Sequence, residues 1–408
     1  MNAPEIEKRY IRTTRDDWLV LNDQKKSVSQ WFFAAFAIIF GIWHIATNLF
    51  INESSLWQNA IHFGGFAILA SVIYSTKSSR PWPIFLDMGY GIMIALAACW
   101  FAASESRIYE ETLAVTGQSW QFNTLDWIAG GLLIAAAIDF SKRVAGWVIP
   151  MLIIVSLSYI LFLGEHLPGV FRAASLPLDD VLFRSMYNDE GMFGILATIS
   201  SANISLFMIF GGFLVVSGAS DFVIESSKVV AGRIRGGAAF VAVLSSALTG
   251  TISGSAVANT ASTGVITIPL MKSNGFRGVF AAGVEAAAST GGQLMPPIMG
   301  AGAFVMASYT AIPYSTIVTV SIVPALLYFL SVAFVVRIEA VKHQVGDGVD
   351  MTIDKAKILS GSLTFMIPLT VMIMLLMSGV TPSYAASWAI ATLVVVSWCN
   401  FLIGRILG

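Results

Sequence analysis

The sequence predicts an all-α polytopic membrane protein, on three observations. Hydrophobic residues make up 56% of the 408 and charged residues only 12%, about half the charged share of a soluble domain. The mean hydropathy is +0.77. The apolar residues fall in continuous runs rather than alternating ones, and a backbone in lipid satisfies itself only as a helix or a closed barrel. This composition excludes a soluble globular enzyme and a disordered chain. A net charge of −1 leaves no basic surplus for phosphates, which excludes a nucleic-acid partner. The lipid bilayer is the partner that composition implies. The two cysteines, Cys99 and Cys399, sit in apolar runs and make neither a metal cluster nor a disulfide framework.

A crossing helix takes about 20 mostly apolar residues. Residues 1–30 are polar and read as a cytoplasmic N-terminal segment. The run 31–51 is too long for a signal-peptide core and no small-residue cleavage site follows it, so it reads as an uncleaved first helix. Further plain spans fall at 57–75, 86–103, 125–140, 145–163, 192–216, 315–336, 359–377 and 384–402. With the interrupted segment described below, about ten transmembrane helices are expected. A cytoplasmic N-terminus places 20 of the 23 Lys and Arg on one side and leaves Arg107, Arg172 and Arg184 on the other. That asymmetry sets the orientation, provided that 238–271 enters and leaves on the cytoplasmic side.

Segment 238–271 has cations beyond both ends. Its 34 residues are too many for one crossing and too few for two. Two arms of about 15 residues rise about 22 Å each, past the midplane but not across. This is the length of a re-entrant helical hairpin. Its centre, TGTISGSAVANTASTG over 249–264, is dense in Ser, Thr, Gly and Ala and has no charge. Such a stretch suits a buried tip, because non-helical backbone at membrane depth needs protein or a water-filled cavity around it.

Segment 278–307 is broken at Gly291-Gly292-Gln293-Leu294-Met295-Pro296-Pro297. Two glycines free the backbone and two prolines lack N–H donors. A helix to about Thr290, an extended loop and a second half-helix are expected. A hairpin tip and a broken helix at one depth are the parts of a carrier site. Half-helix N-termini attract anions, and C-terminal carbonyls coordinate Na⁺. Thr251, Ser253, Ser255, Asn259, Ser289, Thr290 and Gln293 bring neutral polar groups and Gly254 brings backbone freedom; hard cations prefer oxygen ligands. Glu285 is the acid deepest in a span. It is a candidate for ion coupling, and small neighbours at Gly283, Ala286 and Ala287 equally suit a packing role.

Other features read as structural. His44 and His62 are packing residues. Asp87, Asp126 and Asp139 are caps at span ends, and Trp31, Trp57, Trp120 and Trp147 form an aromatic belt. Residues 217–237 hold an amphipathic stretch, either an arm beside the hairpin or an ordinary interfacial helix. An intramembrane serine hydrolase at Ser253 or Ser255 lacks a neighbouring histidine base and the glycine spacing of a nucleophile elbow. No nucleotide-binding motif is present.

Arg235-Gly236-Gly237, then GTISGSAVANTASTGVITIPLMKSNGF over 250–276, then GVEAAASTGGQLMPPIMGAGAFVMA over 283–307, closely resemble the fused permease subunit of the tripartite ATP-independent periplasmic (TRAP) transporters. The match is dense over 233–314, and it looks most like the TAXI type. The resemblance implies a secondary active transporter of the bacterial inner membrane, not an enzyme. It would import a small organic anion, often a carboxylate, with Na⁺ as coupling ion and a periplasmic substrate-binding protein as donor. It implies an elevator-type ion-transporter-like fold with four parts. These are the segment 1–30, a four-helix small-permease-like domain over 31–144, a first repeat of the large permease over 145–337, and a cytoplasmic loop with the first helices of a second repeat over 338–408. A sodium site would match Ser253-Gly254-Ser255 with Asn259 and Ser289-Thr290-Gly291-Gly292, the metal touching Ser253, Asn259 and Gly291. The family carries two inverted repeats, and no second Ser/Thr/Gly run with a proline break occurs here. The fold is therefore expected to be incomplete. Either a second polypeptide supplies the missing repeat, or the chain is a truncated or non-transporting scaffold.

Overall fold

A computed structural model describes residues 28–50, 54–77, 84–114, 122–188, 190–231, 234–345 and 353–407. Most of the predicted N-terminal segment, 1–27, lies outside the described residues, as do Arg80 and Arg233. Every regular element among the described residues is helical. Among the described residues eight helices are long and apolar enough to cross a membrane, against about ten expected. The first predicted span forms a helix over Val28–Leu49, and Phe33–Leu49 is its apolar stretch among the described residues. The interrupted segment is two helices of 14 and 10 residues, each shorter than the roughly 20 a crossing takes.

The chain divides into two compact units, Met1–Ser201 and Ala202–Gly408. The first holds α1 (Val28–Leu49), α2 (Ser55–Lys77), α3 (Ile84–Ala114), α4 (Thr124–Ala145), α5 (Val148–Ser158), α6 (Leu178–Met186) and α7 (Ile195–Thr198). Its core joins Ala60, Ala67, Ile94, Ala98, Phe101, Leu133 and Met186. Small residues bring α2 and α3 together: a Cβ on Gly64 would lie 3.0 Å from that of Ala98, and one on Gly91 2.9 Å from the Cα of Ile68. Close backbone approach of this kind drives helix association in lipid, where the hydrophobic effect is absent.

The helix α3 runs well past its predicted end at 103. Its polar last turns are held by partners. The Tyr109 hydroxyl donates to the Tyr187 carbonyl at 2.5 Å, and Ser104 bonds the Tyr187 hydroxyl at 2.9 Å. Arg107 meets Asp126 at 2.5 Å. Asp126 is also the third residue of α4 and completes a capping box. Its N–H donates to Asn123 Oδ1 at 2.9 Å, and the Asn123 N–H returns to Asp126 Oδ2 at 2.8 Å. Trp100 Nε1 donates to the other carboxylate oxygen at 3.0 Å. The expected cap is thus also the buried partner of a half-buried ion pair.

His44 and His62 are buried as expected, and they are hydrogen-bonded in a chain. His44 Nδ1 lies 2.8 Å from the Phe40 carbonyl, His44 Nε2 lies 2.8 Å from His62 Nδ1, and His62 Nε2 lies 3.0 Å from Ser200 Oγ. A carbonyl only accepts, so His44 carries its proton on Nδ1. With both rings neutral, His62 then donates from Nδ1 and the Ser200 hydroxyl donates to His62 Nε2. Ser200 lies in a π-helical stretch, Ile199–Ile204. In the next position, Ser201 donates to Asn59 Oδ1 at 2.5 Å.

The second unit holds α8 (Ser205–Val216), α9 (Ala219–Ala231), α10 (Gly237–Ser253), α11 (Ala256–Ser273), α12 (Gly278–Gly291), α13 (Ala301–Thr310), α14 (Tyr314–His343), α15 (Lys355–Met377) and α16 (Pro382–Leu407). The amphipathic stretch is α9, which packs on α10 and α15. It buries Phe222, Val223, Ile224 and Ser227, and Phe222 meets Phe365 at 5.4 Å between ring centroids. Glu225 accepts from Lys228 at 2.6 Å and from the Asp354 N–H at 3.0 Å. The unit's core, with Ala238, Ala242, Met271, Ala281, Ala288 and Phe329, lies among α10, α11, α12 and α14.

Asp126 gives a stability prediction. Asp126→Ala is expected to destabilise the protein by about 1–3 kcal/mol, from a lost cap and a lost charge-assisted hydrogen bond to Arg107. Asp126→Asn keeps the capping acceptor and is expected to lose about 1 kcal/mol. Thermal unfolding in detergent, followed by tryptophan fluorescence, ranks the two.

Candidate functional site

The site grows from a two-residue turn. Helix α10 ends at Ser253, and Gly254 takes a left-handed conformation with φ 58°, its N–H returning to the Gly250 carbonyl at 3.3 Å. Ser255 is extended and caps α11, its Oγ accepting from the Ala258 N–H at 3.3 Å. The chain reverses, and α11 packs back along α10. This is a helical hairpin with its tip at Gly254-Ser255.

The break in the next segment falls where expected. Helix α12 ends at Gly291 and tightens into a 3₁₀ turn, Gly292–Leu294. The peptide between Pro296 and Pro297 is cis, and Met299 has φ 57°. The Gly300 N–H closes the loop on the Gln293 carbonyl at 2.8 Å, and α13 starts at Ala301. The Tyr314 hydroxyl holds the loop from α14, 2.9 Å from the Pro297 carbonyl and 2.7 Å from that of Ile298.

Tip and loop meet without side chains between them. A Cβ on Gly250 would stand 2.3 Å from the Cα of Gly292, and one on Gly254 would stand 2.3 Å from the Met299 carbonyl oxygen. One on Gly300 would come within 3.5 Å of the Gly254 carbonyl oxygen, and one on Gly291 would strike the Tyr328 ring at 2.5 Å. Four helix ends therefore gather at one seam: the C-termini of α10 and α12 and the N-termini of α11 and α13. Each C-terminus carries about −0.5 charge and each N-terminus about +0.5. Such a seam offers carbonyl oxygens to a cation and amide N–H groups to an anion.

Below the tip lies a sealed polar cluster. Asn259 is 0% exposed. Its Oδ1 accepts from the Thr249 hydroxyl at 2.5 Å, and its Nδ2 donates to the Ser246 carbonyl at 2.9 Å. Glu285 is also 0% exposed. Its Oε1 accepts from Ser246 at 3.0 Å, from Ser289 at 3.2 Å and from Thr263. Its Oε2 accepts from Thr267 at 2.5 Å. Gly264 makes room, since a Cβ there would lie 3.2 Å from Glu285 Cγ. Thr263 and Thr267 also reach the carbonyls one helical turn back, at 2.8 and 3.0 Å. Each hydroxyl has one hydrogen, so the carboxylate and the helix share these donors.

The predicted residues thus divide. Ser253, Gly254, Ser255, Gly291 and Gly292 lie at the seam, and Asn259 and Ser289 belong to the cluster beneath it. Thr251 is turned back on the Leu248 carbonyl at 2.6 Å and Thr290 on that of Ala286 at 2.8 Å. Thr290 and Gln293 are exposed, and Pro296 and Pro297 shape the loop. Gly250, Met299 and Gly300, which close the seam, and Ser246 and Thr267, which hold Glu285, were not singled out by sequence. The spacing of Thr263 and Thr267 was a usable signal, since residues four apart share a helix face. Among the described residues no three His, Cys, Asp or Glu side chains gather as a metal site, so neutral oxygens are what the seam offers a cation.

Residues 132–404 match the family model described as "Tripartite ATP-independent periplasmic transporter, DctM component". Three relatives are called "C4-dicarboxylate TRAP transporter large permease protein DctM". The protein of Vibrio cholerae is 32% identical over 165 residues, 38% of this chain and 35% of the relative. That of Pseudomonas aeruginosa is 33% identical over 137 residues, 34% of this chain and 32% of the relative. That of Rhodobacter capsulatus is 28% identical over 150 residues, 37% of this chain and 31% of the relative. The chain spans about a third of the length of these relatives.

The seam gives a packing prediction. Gly250→Ala is expected to destabilise the second unit by about 1–3 kcal/mol, because neither glycine backbone can yield. A Cβ on Gly283 of the same unit would meet nothing within 4 Å. Gly283→Ala is therefore expected to be neutral or to stabilise by up to about 1 kcal/mol. Paired denaturation curves test the contrast.

Proposed function

The chain belongs to the DctM-component family of the tripartite ATP-independent periplasmic transporters, and from this premise we propose that it is a permease that imports a small carboxylate together with Na⁺. A transporter-permease family is not an enzyme family, and the serine-hydrolase reading of Ser253 and Ser255 falls with it. The observation that carries the proposal is the seam. Four half-helix ends and neutral oxygens, with no fixed charge at the tip, suit an anion travelling with a cation. The Na⁺ seat is read at Ser253, Gly254 and Gly291, with Asn259 setting the tip from below through its bonds to Thr249 and Ser246. The remaining lone pair of Asn259 Oδ1 is its one route to the ion. The carboxylate is read at the N-termini of α11 and α13.

The wider reading adds what the cation asymmetry and the family resemblance imply. The hairpin α10–α11 is read as re-entrant: its arms of 17 and 18 residues rise about 26 and 27 Å, short of the roughly 30 Å hydrocarbon core. The N-terminus is cytoplasmic, and the membrane is the bacterial inner membrane. A periplasmic binding protein delivers the anion. Residues 31–144 act as a fused small permease of TAXI type, 145–337 as the first repeat with hairpin and broken helix, and 338–408 as the start of a second. The hairpin and broken helix ride together as an elevator.

The test is uptake by the full protein in liposomes with its binding protein and an imposed Na⁺ gradient. Labelled carboxylate is expected to enter only with inward Na⁺. Ser253→Trp and Gly291→Trp are each expected to cut the rate to below about a tenth, a barrier change of about 1.4 kcal/mol. Sodium-independent uptake, or uptake that survives both substitutions, overturns the assignment. Glu285→Gln separates coupling from packing. It keeps the shape and one acceptor, so stability is expected to change by less than about 1 kcal/mol while coupled uptake is lost. Unchanged uptake makes Glu285 a packing residue.

A further inference from the structure

A groove of about 760 Å³ runs between the first half of α12 and the second half of α14. Val279, Phe280 and Gly283 line one wall, and Tyr328, Val332 and Val335 the other. Val279 is 90% exposed. Walls of this kind suit an apolar occupant, because a polar one would lose its hydrogen bonds there.

One end of it is cationic. Arg277 lines the mouth and donates from Nη2 to Glu339 at 3.0 Å. Glu339 also faces His343 at 3.5 Å. The Lys272 stem lies beside Gly278, within 3.8 Å of where a Cβ would sit, and Lys272 has no ion-pair partner among the described residues. Two cations, Lys272 and Arg277, thus stand at this end with one carboxylate, Glu339. The mouth is also the N-terminus of α12, which no side chain caps, so its first amide N–H groups point the same way.

We infer that this groove binds an anionic glycerophospholipid, one acyl chain lying between α12 and α14 and the phosphate resting on Lys272, Arg277 and the α12 N-terminus. An apolar slot that ends in cations and free amides matches a molecule with an anionic head and an apolar tail. Basic pockets between membrane helices are known to take such headgroups. A packed protein helix would fill the slot and leave the mouth without its anion. The inference does not depend on the transported substrate.

The experiment uses the full chain in nanodiscs of phosphatidylcholine with phosphatidylglycerol, and native mass spectrometry reads the lipids retained. The wild type is expected to retain phosphatidylglycerol in preference to phosphatidylcholine. The double variant Lys272→Gln, Arg277→Gln is expected to lose that preference. Gly283→Leu grows into the groove without displacing backbone and is expected to lose retention of both lipids, with Gly283→Ala as the folded control. Retention unchanged in Gly283→Leu and in the charge variant overturns the inference. A photocrosslinker at position 283 that attaches to a peptide also overturns it, and assigns the groove to a protein segment or a second copy.

Discussion

The approach of Gly250 to Gly292 is the constraint on which the second unit depends. Backbone that leaves the helix inside a membrane must find its hydrogen bonds in protein. Here the hairpin tip and the interrupted helix supply each other's surroundings, and they do so only because neither carries a side chain at the point of contact. A methyl group on either glycine has nowhere to go. Everything that makes a site possible follows from this closeness: the carbonyl ends of α10 and α12 lie side by side, and the amide ends of α11 and α13 flank them.

The same closeness explains the chemistry of the hairpin's inner face. Two helices that meet through Gly and Ala leave little room for bulky side chains but ample room for hydroxyls. Ser246, Thr263, Thr267 and Ser289 fill that space and converge on Glu285. A buried carboxylate costs several kcal/mol unless hydrogen bonds compensate it. Four hydroxyl donors from α10, α11 and α12 provide that compensation, and they tie three helices through a single side chain. The first unit uses a comparable device at Asp126, where an arginine, an indole N–H and one backbone N–H share one carboxylate. There the partner is a cation; at Glu285 it is only hydroxyls.

Much of this was legible in the sequence, and the residues show why. The hairpin was visible because 34 residues between cations fit no whole number of crossings, and because a chargeless Ser/Thr/Gly run has no place facing lipid. The break was visible because Gly291-Gly292 and Pro296-Pro297 remove side chains and donors within seven residues. Among the described residues eight helices reach the length and apolarity of a crossing, against about ten expected, and the broken segment, counted among the ten, is two half-helices. The length of α3 was understated, because hydropathy stops at 103 while Ser104, Arg107 and Tyr109 carry the helix on through bonds to residues 19 to 83 positions away. The cage around Glu285 was hidden for the same reason: Ser246 and Thr267 are ordinary residues until three helices bring them to one oxygen pair.

The seam also limits how the protein can move. A hinge between the hairpin and the broken helix would have to separate Gly250 from Gly292 and Gly254 from the Met299 carbonyl, and so expose backbone groups that lipid cannot satisfy. It would also pull Ser246, Thr263 and Thr267 away from Glu285 and leave a carboxylate buried without donors. Both penalties fall on the same displacement, and each is worth several kcal/mol. Sliding α10 through α12 as one body breaks neither set of contacts. Under the function proposed above, the hairpin and the broken helix therefore travel as one body, and the proposed ion seat travels with them unopened.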